Sequence, residues 1–215
     1  MKTKHFKGLI RHLCLFISLI LIFSGSFYAK EKNPGTGFFL RGGVGYSPAV
    51  TMKSSEANLE ISGGGVAAVL SIGWFLNERL LVYGEFLGDL FSGPELTVGN
   101  MVYNSPDSLT ANASGFGAGI GYYIVPKSIF AACSITFASI AMEDKTLNLK
   151  TNTDLGIGLS FQLGKDFQLS EKVLLGIAAR AFVASMKDQG GGPTWNTNSI
   201  GILATISWAS RGFAK

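Results

Sequence analysis

Histidine is nearly absent: the 215 residues contain two, His5 and His12, both close to the N-terminus. Beyond residue 12 there is no imidazole to activate a serine or shuttle a proton, which argues against the commonest hydrolytic and acyl-transfer chemistries. Cysteine is equally scarce, with Cys14 and Cys133 alone. Cys14 lies inside an N-terminal apolar run, and once that run is removed on export the lone Cys133 cannot form an internal disulfide, so a cross-linked secreted scaffold is excluded. Only 15% of residues are charged. No apolar run reaches the roughly 20 residues that a membrane-spanning helix needs.

The longest apolar run, Leu13 to Phe23, comes after Lys2, Lys4, Lys7 and Arg11 and precedes Ser24, Gly25, Ser26 and Ala29. A basic start, a short apolar core and small residues make an export signal, with cleavage expected after Ala29. Residues 1–29 hold four of the 18 Lys and Arg and none of the 14 Asp and Glu, so residues 30–215 carry 14 basic and 14 acidic groups. The exported part is neutral. The basic balance belongs to the signal and gives no support for nucleic-acid binding.

What the chain has in abundance is glycine, 28 residues of it, set in strict alternation with large apolar side chains. From Asp154 to Gly164, Leu155, Ile157, Leu159, Phe161 and Leu163 share one parity and Gly, Ser, Gln and Asp the other. A period of two is a strand. In a soluble sheet the second face would carry Lys, Glu and Thr; here it is small, which suits a crowded interior. Apolar residues facing out and small or polar residues facing a lumen is the pattern of a transmembrane β-barrel. A soluble lipocalin-like barrel would reverse it.

Eight such segments can be placed, at about 37–46, 62–75, 80–90, 111–124, 129–140, 154–164, 173–186 and 199–209. The connections between them alternate: 47–61, 91–110, 141–150 and 187–198 are long, whereas 76–79, 125–128 and 165–172 are short. That alternation is expected when short periplasmic turns oppose long extracellular loops. Tyr46, Trp74, Tyr122 and Trp208 lie near strand ends on the outward parity, where aromatic belts sit. The organisation expected is a signal over 1–29, a periplasmic lead over 30–36, an all-β eight-stranded antiparallel transmembrane barrel over 37–209, and a tail over 210–215.

With these features the chain resembles the small eight-stranded outer-membrane barrels, the OmpA/OmpX-like family, over about residues 36–209. The resemblance implies an integral protein of the bacterial outer membrane, in contact with its lipids and inserted by the barrel-assembly machinery. Members often end on an aromatic residue that this machinery reads; Trp208 or Phe213 is succeeded by further residues here, so Trp208 with a short tail is the expected signal.

By parity Arg41, Glu85, Asp89, Asp154 and Arg180 point into the lumen. A charge in so narrow a space needs a partner, and ion pairs are expected among them, with Arg41 and Glu85 at similar depth. The loops offer Met101 and Tyr103 in the second long connection and Trp195 in the last, side chains that either pack over the barrel mouth or serve as contacts for a surface or host ligand. The function expected is structural or adhesive, with a side-chain-filled lumen. The alternatives are a narrow or gated pore for ions and small solutes and, less favoured without histidine, a lipid-modifying enzyme. No cofactor is expected: the Gly63–Gly65 and Gly115–Gly121 runs lack the helix and Lys-Ser/Thr of a phosphate loop, and Glu143-Asp144 lacks the spacing of a calcium loop.

Overall fold

The computed structural model describes residues 36–56, 58–104, 109–144, 146, 149–189 and 192–210. The signal, most of the periplasmic lead and residues 211–215 of the tail lie outside the described residues. The strands are β1 (Gly37–Ser54), β2 (Leu59–Phe75), β3 (Leu80–Ser92), β4 (Glu95–Val98), β5 (Met101–Asn104), β6 (Leu109–Val125), β7 (Ile129–Asp144), β8 (Leu149–Asn152), β9 (Gly156–Gln168), β10 (Val173–Lys187) and β11 (Thr194–Ala209). Eight of them form the wall, in the order β1, β2, β3, β6, β7, β9, β10, β11. All neighbours are antiparallel, and β11 pairs with β1 to close the ring.

The register fixes the geometry of closure. A path along paired residues from Val173 runs through Trp208, Leu40, Ile72, Gly84, Ala118, Ile135 and Leu159 and returns to β10 at Val183, ten residues further on. Such a stagger tilts the strands strongly against the axis, and eight tilted strands leave an interior that side chains can fill. The alternation read from the sequence sets the two faces. Phe39, Ala67, Leu87, Ala178, Phe182 and Leu203 are buried inside, while Val44, Ile135, Ile157, Ile177 and Ile206 stand exposed on the outer wall.

The strands are longer than the sequence suggests. A tilted strand crosses a bilayer in roughly 9 to 11 residues, yet β1 has 18 and β11 has 16. Most of the expected loop 47–61 is strand, because β1 continues past a bulge at Ser47–Ala49. Pro48 has no N–H to give to a ladder. Its bulge shifts parity, so Val50 and Met52 take over the inward face from Ser47. The loop 91–110 contains the β4–β5 hairpin, which continues the sheet outward from Leu59–Ser62 of β2. The loop 141–150 holds the end of β7 and part of β8, which pairs with it. On the other side the turn expected at 165–172 shrinks to 169–172, since β9 runs to Gln168.

Candidate functional site

The lumen carries the buried polar groups, and the periplasmic end is built around Arg41 on β1. Its Nη2 donates to Asp166 Oδ2 at 2.5 Å and to the Tyr123 hydroxyl at 3.0 Å, and its Nε donates to Ser207 Oγ at 2.7 Å. Tyr123 in turn donates to Asp166 Oδ2 at 2.8 Å. The guanidinium lies 3.7 Å from the centre of the Phe130 ring, close enough for a cation–π contact. Below it Phe39, Phe75, Tyr123 and Phe130 form an arc of successive ring contacts 5.4 to 6.1 Å apart.

A second charged group lies toward the extracellular side, where Arg180 on β10 pairs with Asp89 on β3, both fully buried. Asp89 also accepts from Ser47 Oγ at 2.6 Å and Ser199 Oγ at 2.8 Å, and Arg180 Nη1 donates to the Ala68 carbonyl at 3.2 Å. Between the two pairs stands Glu85, which accepts from Ser134 Oγ at 2.6 Å and Gln162 Nε2 at 2.5 Å. Gly119 opens the wall beside it. A Cβ there would come within 2.7 Å of both the Tyr83 ring and Ser134 Cβ, so glycine lets these side chains pack flat against the strands.

Above the charged groups Val50, Met52, Ile61, Phe91, Ile140 and Met186 are all buried and close the extracellular end with an apolar layer. The lumen is thus a polar middle between two apolar ends. A void of about 10 Å³ beside Arg41, Ser71, Tyr83 and Gln162 is room for a single water.

Of the five charges expected inside, the structure places four there: Arg41, Glu85, Asp89 and Arg180 are at most 3% exposed. It does not pair Arg41 with Glu85. Asp154 requires a correction, for it is exposed, just before the start of β9, with its backbone N–H on the Lys187 carbonyl. Parity alone carries β9 two residues too far toward the outside. The counter-charge that sequence reasoning misses is Asp166, placed in a turn because Lys165 interrupts the apolar parity. The other parity, Gln162, Gly164, Asp166, continues without a break and is the available signal.

At the extracellular side Met101 and Tyr103 are exposed on β5, together with Val102. Trp195 takes the packed one of its two expected places, and not that of a ligand contact. It lies within β11 opposite Ser54 and Met186, is 8% exposed, and packs into the apolar layer instead of facing solvent.

No family model matches the chain, and no curated protein matches it. Solved structures do. Neisserial surface protein A is similar over 81% of this chain and 98% of its own, with 15% identity and a TM-score of 0.56. The outer membrane protein OprG from Pseudomonas aeruginosa is similar over 82% of this chain and 96% of its own, with 12% identity and a TM-score of 0.50. At such identities the likeness is one of fold. Taken with the apolar outer wall and the closed ring, it shows that the chain has the fold of the small eight-stranded outer-membrane β-barrels.

Proposed function

We propose that the protein is a closed barrel of the bacterial outer membrane that acts at the cell surface, anchoring a recognition element in the form of the β4–β5 hairpin. The observation that carries this reading is the contrast between its two candidate sites. Inside, both arginines are paired with carboxylates and, among the described residues, the ends are packed with apolar side chains, which supports a filled lumen. Outside, the hairpin presents Val98, Met101, Val102 and Tyr103 to water. Large apolar side chains gathered on a solvated hairpin are the kind of surface that partner proteins bury.

The reading is of a binding protein and not of an enzyme. Ser134, an inward hydroxyl beside a carboxylate, donates to Glu85 and has no histidine to activate it.

Deleting residues 100–107 tests the proposal. Binding of the purified barrel to host cells or surface ligands is expected to be lost, while the folded barrel still migrates faster than its boiled form on a gel. Unchanged binding by the deletion variant would refute a role for the hairpin.

A further inference from the structure

The outer wall is not uniformly padded. Small outward residues are scattered over the wall, as at Gly42, Ala68, Gly84, Gly88, Ala118 and Ala204, but β7 and β10 each present two in succession, Ala131 and Cys133, Ala179 and Ala181, on either side of β9. The register sets Ala131 and Ala179 against Leu163, and Cys133 and Ala181 against Phe161. The wall is recessed there. The result is an apolar groove of about 550 Å³ that also takes in Tyr122 and Leu80.

The groove ends at a cation. One step toward the periplasm, Lys165 takes the next outward position on β9, between Ile129 and Ile177. Lys165 is exposed, lies 5.2 Å from the centre of the Phe167 ring, and forms no ion pair among the described residues. The adjoining turns add Lys127, beside the Ser128 whose carbonyl accepts from Asp166 N, and Arg79, whose carbonyl accepts from Tyr123 N. These two turns carry one acid, Glu78, against the two cations Arg79 and Lys127, to which Lys165 on β9 adds a third. Lys127 sits at a φ of 62°, which glycine would adopt more easily, so the turn holds a lysine at a conformational cost.

We propose that this groove is a binding site for a phospholipid of the periplasmic leaflet, its acyl chain lying over Ala131, Cys133, Ala179 and Ala181 and its phosphate meeting Lys165 and Lys127. Charge complementarity selects the occupant. A lysine at the lower edge of an apolar belt reaches for the headgroup level, where a phosphate is the available anion. A second copy of the chain would set two such cationic edges side by side.

Native mass spectrometry of the barrel, released from micelles containing equal phosphatidylglycerol and phosphatidylcholine, tests the site. The wild type is expected to retain one phosphatidylglycerol in preference to phosphatidylcholine. Lys165→Gln and Lys127→Gln should each lower that preference about fivefold, and Ala131→Leu with Ala181→Leu should abolish retention of either lipid. Heat-modifiable migration reports whether each variant folds; if the leucine pair does not, the lysine variants decide. Equal retention of the two lipids by the wild type, unchanged preference in the lysine variants, or a dimer in place of the lipid adduct would overturn the proposal.

Discussion

Removing the Asp166 carboxylate would leave the Arg41 guanidinium buried among hydroxyls and the rings of Phe39 and Phe130. Losing one member of a buried pair costs about 3 to 5 kcal/mol, because the remaining charge has no compensation. Asp166→Asn and Asp89→Asn are each expected to lower stability by that order in urea unfolding from lipid bilayers. Glu85→Gln is expected to cost about 1 kcal/mol or less, since the short hydrogen bonds it accepts come from a hydroxyl and an amide that a neutral side chain can still engage. Equal losses for all three would mean that Glu85 is the partner of a cation. The same residues show where sequence reading stops. Parity tells which face a carboxylate takes and nothing about which arginine it reaches across a lumen: Arg41 and Asp166 are 125 positions apart.

Strands are legible because one parity is apolar for lipid and the other small for the lumen, a contrast that holds on most staves but not on β3, whose lumen face carries Leu81, Tyr83, Leu87 and Phe91. Their outer ends are not. Above the membrane the outward face turns polar, as at Lys53, Glu60 and Asn196, so β1, β2 and β11 lose their apolar parity and read as loops. The buried side remains as a weaker sign, in Val50, Met52 and Ile61. Glycine also divides into two kinds within these elements. At Gly117 a Cβ would collide with the Ile135 carbonyl oxygen and, at 2.6 Å, with Thr136 Cα, both backbone atoms of β7 that cannot swing aside. At Gly42, on the outer wall, it would meet nothing within 4 Å. Gly117→Val is therefore expected to abolish the heat-modifiable band in outer-membrane fractions, whereas Gly42→Val should keep it. A folded Gly117→Val barrel would show that the β6–β7 pair can spread apart.

At the scale of the whole molecule, the question is what keeps a ring of eight strands shut. A stagger of ten residues widens such a ring slightly over a less tilted one, and the width is taken up by long side chains: Arg41, Tyr83, Glu85, Phe182 and Arg180 all lie inside. Closure then depends on their volume and on the apolar layers at either end, of which the periplasmic one is the aromatic arc from Phe39 to Phe130. The purified barrel is expected to give no stable conductance steps in planar bilayers. Trimming the Arg180–Asp89 pair to alanine removes the largest buried side chain of the upper lumen, yet Met52, Ile61, Phe91, Ile140 and Met186 still lie above it and the Phe39–Phe130 arc below. That double variant should remain silent. Steps should appear only when both ends are opened as well, with Phe39→Ala and Met52→Ala added to it. Conductance from the wild type, or from the Arg180–Asp89 variant alone, would mean that the apolar ends do not seal the barrel and that the ion pair holds back the flow.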